Sequence, residues 1–147
     1  MTTDASIRPM RPADAPRVAE LATQLGYPST SGDVMHRFAE LAEYARAVAL
    51  VAVDAADDVI GWIQVERTPS LAVSDAALIG GLVVDEAHRS ARVGAALLEA
   101  GEHWAREHGA RTMMVSSRVA REAAHRFYER EGYERLKTSH IFARELV

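Results

Sequence analysis

LVVDEAHRSARVGAALL, Leu82–Leu98, carries the clearest architectural signal in the chain. It finishes an apolar run begun at Ile79, turns polar from Asp85 to Arg92, then resumes as an Ala/Leu-rich segment reaching about His108 before Gly109. Apolar continuity over a few residues reads as a buried strand, and the later spacing as a helix stopped by glycine. A strand, a basic turn and a helix start make an anion site. The first N–H groups of a helix lack internal partners, and the helix dipole favours negative charge there. Arg89 and Arg92 add positive charge to the same turn.

Working outward, the rest of the 147 residues suits one domain, 1–147, with a sizeable core. Hydrophobic content of 48% and charged content of 26% are those of an ordinary globular chain. The absence of cysteine excludes disulfides, a thiol nucleophile and thiolate metal sites. The six histidines show no metal-ligand spacing, so no metal is expected. With no signal-peptide pattern, lipidation motif or long apolar span, the expectation is a cytoplasmic protein without a membrane partner.

Before the central stretch, Ile7–Arg11 reads as a strand. Asp14 is placed to cap a helix whose face is Val18, Leu21, Ala22 and Leu25, closed by Gly26. Ser31 is placed to cap a second helix with Val34, Phe38 and Leu41 inward. Ala47–Val53 and Val59–Glu66 read as a hairpin around Asp54–Asp58, and Thr68–Asp75 as a loop. Beyond it, Thr112–Ser116 reads as a strand, Glu122–Glu131 as a helix ended by Gly132, and Ser139–Val147 as a last strand. The crossover from the Leu78–Val84 strand to Thr112–Ser116 predicts a parallel pair. The expectation is an α/β fold: a central mixed sheet of six to seven strands flanked by about four helices.

The Leu82–Leu98 stretch resembles the acetyl-CoA-binding motif of GNAT superfamily N-acetyltransferases, Arg/Gln-x-x-Gly-x-Gly/Ala. Arg89 falls on its first position, Arg92 on its first glycine and Gly94 on its last. Arg92 departs from the pattern: glycine reaches positive φ freely, and arginine less so. A second segment, AREAAHRFYEREGY from Ala120 to Tyr133, resembles the later motif of the same family, Asn-x-x-Ala-x-x-x-Tyr followed by Gly-Phe/Tyr. Ala124 and Tyr128 fall on expected positions, and Arg121 stands where Asn is common. The element order agrees with the GNAT fold over essentially the whole chain.

The resemblance implies a fold, a reaction and a site. The backbone of Leu82, Val83 and Val84 would pair with the pantetheine amides of acetyl-CoA. Arg89, Ser90, Ala91, Arg92, Val93, Gly94 and Ala95 would hold its pyrophosphate, with Arg121 and Ala124 bordering it. An amine attacks the thioester directly through a tetrahedral intermediate, and Tyr128 protonates the departing thiolate. A phenol of pKa about 10 is a usable donor to a thiolate of about 8.5 as charge builds on sulfur. Tyr27 and Asp33, in the segment that walls the acceptor site in relatives, are the candidate substrate contacts. The central strand lacks the glutamate that many relatives use as a base; Glu66 and Asp75 are the nearest carboxylates in sequence.

Charge is distributed unevenly along the chain. Residues 1–87 carry six Arg against 13 Asp and Glu, whereas residues 88–137 carry ten Lys and Arg against seven Glu. The basic half is the one expected to face an anionic cofactor, and the acidic half suits a cationic acceptor. Net acidity of −4 argues against a nucleic-acid partner. The resemblance favours a primary amine of a small molecule as acceptor. A protein N-terminus or lysine, or an acyl-CoA-binding sensor or structural module without turnover, are the other readings. Apolar residues in the last strand offer an open edge to a homodimer.

Overall fold

The computed structural model describes residues 5–73 and 75–147, with the side chains of Ser90 and Ala91 outside the description; Ser74, in the expected loop, also lies outside it. The chain divides into a unit ending at Val115 and another from Ser116 onward.

In the first unit, β1 (Ser6–Pro9), β2 (Ala47–Val53), β3 (Val59–Arg67), β4 (Ala76–Val84) and β5 (Thr112–Val115) form one sheet in that order. The first three pairings are antiparallel, and β4 with β5 is parallel, as the crossover predicted. The β2–β3 turn forms around Asp54, whose Oδ1 accepts the N–H groups of Ala56 and Asp58.

Helices α1 (Ala15–Leu25) and α2 (Ser31–Ala42) cover one face of the sheet. Ala15, Val18, Leu21 and Val34 pack there on Val51, Val53, Val59 and Val83. Helix α3 (Val93–Glu107) covers the other face through buried Val93, Leu97 and Gly101. A Cβ at Gly101 would lie 2.9 Å from the Ile63 Cδ1, so this glycine lets α3 sit close on β3. In the second unit, α4 (Glu122–Arg130) is followed by chain without regular structure.

Three expectations are corrected. Among the described residues the sheet has five strands rather than six to seven, and Ser139–Val147 forms no strand. There Ile141 and Phe142 are adjacent, which breaks the alternation that assigns a strand its inner face. Asp14 does not cap α1: its carboxylate is taken by Arg8 and by the N–H of Arg11. β1 ends at Pro9 instead of Arg11. Thr30, not Ser31, caps α2, closing a capping box with Asp33.

Candidate active site

The double glycine of β4 is where the sheet opens. Gln64 pairs with Gly81 and Val65 with Ile79, so Gly80 is skipped and forms a bulge. A Cβ at Gly81 would come within 2.7 Å of the Trp62 ring, and one at Gly80 within 2.9 Å of Gln64 Nε2. Both glycines therefore make room for side chains of β3. The bulge bends β4, and its pairing with β5 spans only Ala76 to Ile79. From Gly80 to Val84 the edge of β4 toward β5 carries no strand partner among the described residues. Its backbone groups are available to a ligand that carries amides. From the α1/α2 face, Trp62 and Gln64 of β3 reach over the double glycine, and Glu66 follows on the same face. The Trp62 Nε1–H is buried and has no acceptor among the described residues.

Beyond Val84 the chain prepares a helix start. Asp85 N–H donates to Ile60 O at 2.8 Å, the last rung between the two strands, and a 3-10 turn runs from Glu86 to Ala91. Arg92 then turns the backbone at φ 60°, ψ 22°, a left-handed conformation, and α3 begins at fully buried Val93. The first donor into the helix is Ala96 N–H, to Arg92 O at 3.1 Å, and no side chain caps the end. The N–H groups of Val93, Gly94 and Ala95 thus precede the helical ladder, at the positive end of a 15-residue helix. Arg89 and Arg92 are exposed beside them, and Arg89 Nε donates to Val84 O at 3.3 Å.

Sequence reasoning missed what braces this turn. Asp85 accepts from Gln24 Nε2 at 3.2 Å and pairs with Arg17 at 3.0 Å and with His88 Nδ1 at 3.2 Å. Gln24 Oε1 also accepts the Glu86 N–H at 3.3 Å. The Gln24 bond, with help from His88 and Arg17, holds the Asp85 carboxyl below its ordinary pKa. Helix α1 therefore grips both ends of the strand-to-turn junction. A separate hollow of about 360 Å3 is lined by Asp14, Asp54, Asp57 and Asp58 along with Arg17 and His88. Four carboxylates make it unsuited to an anion.

The structure brings Leu82, Val83, Val84, Arg89, Arg92, Val93, Gly94 and Ala95 together at this junction, with the backbone of Ser90 and Ala91 in the turn. The expected acceptor contacts differ. Tyr27 is 57% exposed just past α1. Asp33 has a structural task, since its carboxylate accepts the Thr30 N–H at 2.9 Å; that bond and the Thr30 hydroxyl hold its pKa low.

In the second unit, Arg121, Ala124 and Tyr128 follow one another at the start and along one side of α4. Tyr128 lies edge-on to Phe127 and Tyr133, with ring centroids 5.2 and 5.7 Å apart. Burial pushes its phenol pKa up, and the Arg121 charge opposes the shift. The hydroxyl therefore stays protonated at neutral pH.

Among the described residues, no helix is long and apolar enough to cross a membrane, and no group of three or more His, Asp or Glu is placed to hold a metal ion.

Solved structures share this fold. The aminoglycoside 6'-N-acetyltransferase AAC(6')-Ih of Acinetobacter baumannii is 16% identical over 97% of this chain and 99% of its own, with a TM-score of 0.84. AAC(6')-Iy, solved with the bisubstrate analogue CoA-S-monomethyl-acetylneamine, is 16% identical over 97% and 99%, at 0.82. Glucosamine-6-phosphate N-acetyltransferase of Arabidopsis thaliana is 21% identical over 95% and 99%, at 0.76. No curated protein sequence matches the chain. The acetyltransferase (GNAT) family model matches residues 16–133, a span containing both motifs, the opened strand and the uncapped helix start. The chain belongs to the GNAT acetyltransferase family.

Proposed function

We propose that residues 1–147 act as one cytoplasmic N-acetyltransferase domain, moving the acetyl group of acetyl-CoA to a primary amine of a small molecule. The observation that carries this reading is the junction of β4 and α3. There an unpaired strand edge from Gly80 to Val84 runs into three N–H groups, 93–95, flanked by Arg89 and Arg92. The edge suits the two amides of a pantetheine arm, and the helix start with its arginines suits a pyrophosphate. The residues present therefore fit acetyl-CoA, which supplies the activated acetyl group.

This chain's own part in the reaction follows from the chemistry of its residues. Backbone N–H groups of the bulged β4 can hold the carbonyl oxygen as negative charge develops on it. Tyr128, kept protonated by burial, gives its proton to the departing sulfur. The amine attacks directly, so no enzyme nucleophile is needed, which suits a chain without cysteine. Glu66, two residues along β3 from Gln64 and on the same face, is the carboxylate assigned to attract a cationic acceptor or take its proton. Small-molecule acceptors of the structural neighbours, aminoglycosides and glucosamine-6-phosphate, support the choice of acceptor class.

Thiol release from acetyl-CoA, followed across a panel of aminoglycosides, amino sugars, polyamines and lysine- or N-terminal-amine peptides, tests the proposal. Release with a small amine is expected. Release with peptides alone would move the acceptor to protein. Tight acetyl-CoA binding with no release for any amine would make the domain an acyl-CoA sensor.

A further inference from the structure

Along β3 the side chains divide cleanly between the two faces of the sheet. Ile63 and Val65 meet α3 at Gly101, and Trp62 packs on the opposite side with the core under α1 and α2. Strand alternation puts Gln64 and Glu66 on the Trp62 side. Both are half-buried, yet neither the Gln64 amide nor the Glu66 carboxylate has a hydrogen-bond or ion-pair partner among the described residues. Sheltered polar groups normally find a partner, so two in a row mark a place where a ligand supplies it.

The surroundings leave room for one. On β2, Ala49 stands opposite Gln64 and Ala47 opposite Glu66. On β4, Gly81 stands opposite Gln64, and a Cβ at Gly80 would lie 2.9 Å from the Gln64 Nε2. The two polar side chains therefore rise from a floor of alanine and glycine. The Trp62 ring walls one end by covering Gly81, and its buried Nε1–H leaves the hydrogen bonding to Gln64 and Glu66. β3 is an inner strand, paired on one edge with β2 and on the other with β4, so it has no free edge for an extended peptide. Recognition on this floor belongs to side chains, which suits a compact molecule.

We infer that Gln64 is a specificity-determining residue, selecting amines that carry an uncharged hydroxyl roughly 5–7 Å from the nitrogen, the spacing of residues i and i+2 on a strand. The inference rests on the reading above, in which Glu66 draws the acceptor amine. A primary amide both donates and accepts, as a hydroxyl does, and it carries no charge to hold an anion. Glu66, one strand repeat away, repels a carboxylate or phosphate placed against Gln64. The floor thus suits a neutral amino alcohol and rejects an acidic amine.

Three matched amines test this: trans-4-aminocyclohexanol, cyclohexylamine and trans-4-aminocyclohexanecarboxylate. Thiol release from acetyl-CoA gives kcat/KM for each, and calorimetry gives affinity without turnover. The hydroxylated amine is expected to lead cyclohexylamine by roughly 3–10-fold, the scale of one net hydrogen bond, with the carboxylate last. Gln64→Leu is expected to abolish that lead. Gln64→Glu is expected to move the preference to trans-1,4-diaminocyclohexane, a change that a side chain with only a packing role does not produce. A hydroxyl that brings no gain, or a lead that survives in Gln64→Leu, would overturn the inference and leave acetyl transfer standing. The expected order by calorimetry, with no thiol release for any amine, would uphold the inference and remove acetyl transfer. Failure of all three amines either to bind or to react would overturn both.

Discussion

At position 92 an arginine holds φ 60°, ψ 22°, in the turn that leads into α3. A left-handed backbone costs a residue with a Cβ about 1–2 kcal/mol, and glycine's extra freedom in the unfolded chain offsets about 0.5–1 of any gain. Arg92→Gly is therefore expected to raise stability by roughly 0.5–1 kcal/mol in urea unfolding. The same change removes a cation beside the three free N–H groups, so acetyl-CoA affinity should become less sensitive to salt. An unchanged urea midpoint would mean the Arg92 side chain recovers the strain elsewhere. Tyr128 is the second position where one atom decides an outcome. Tyr128→Phe keeps the ring edge-on to Phe127 and Tyr133 and removes only the donor. A general acid typically contributes ~10²–10⁴-fold, so kcat should fall on that scale with acetyl-CoA affinity nearly intact. Burial raises the phenol pKa, and the acid form persists past the ordinary value of about 10. The unmodified enzyme should accordingly show no alkaline loss of kcat from this group below that pH. Equal kcat for Phe and Tyr would make residue 128 a packing residue.

Among the elements, α1 reaches furthest beyond its own packing. Its inner face builds the core, while Arg17 and Gln24 hold the end of β4 and the start of the following turn through Asp85 and the Glu86 N–H. Gln24→Ala removes two hydrogen bonds from exposed groups, each worth about 0.5–1.5 kcal/mol at most. The expected result is a rise of roughly 3–10-fold in the KM for acetyl-CoA, with kcat and melting temperature little changed. A fall in kcat with KM unchanged would assign Gln24 to the chemistry instead of to the turn. This brace was invisible in the sequence, since Gln24 and Asp85 stand 61 positions apart and no periodicity links them. What was legible is local. The apolar run into Asp85, the basic turn and the Ala/Leu helix each follow from neighbours in sequence, and they placed β4, the turn after it and α3 correctly. The bulge at Gly80 was not legible, because two glycines in a strand do not say which side chains across the sheet, here Trp62 and Gln64, claim their space. The last strand failed for the opposite reason: residues of strand type need an edge to pair with, and composition does not say where that edge lies.

For the molecule as a whole, pH is where local bonds become a global property. Arg8 of β1, an edge strand of four residues, donates to both Asp14 oxygens at 2.8 and 3.0 Å and reaches Asp57 at 3.3 Å. One side chain, through two ion pairs, thus ties the sheet edge to the entry of α1 and to the β2–β3 turn. The Arg8 hydrogen bond, joined by the Arg11 N–H, lowers the Asp14 pKa against the opposing effect of burial. Asp85 is lowered in the same way by Gln24 first. A carboxylate with a depressed folded pKa binds its proton more weakly folded than unfolded. Its stabilisation is complete above the unfolded value of about 3.9 and is lost as pH falls through the lower, folded value. The melting temperature should therefore be flat from about pH 7 to 5 and drop below about pH 4. Asp14 is 8% exposed, so the pair is only partly screened, and Asp14→Asn should cost about 2–3 kcal/mol at neutral pH. The variant should also lose part of the acid-side slope, because it has already given up the charge that protonation removes. Thermal unfolding of both proteins from pH 7 to 3 checks this. If the two curves ran parallel down to pH 3, the acid sensitivity would reside in other carboxylates, and the Arg8–Asp14 pair would be only one surface bond among many.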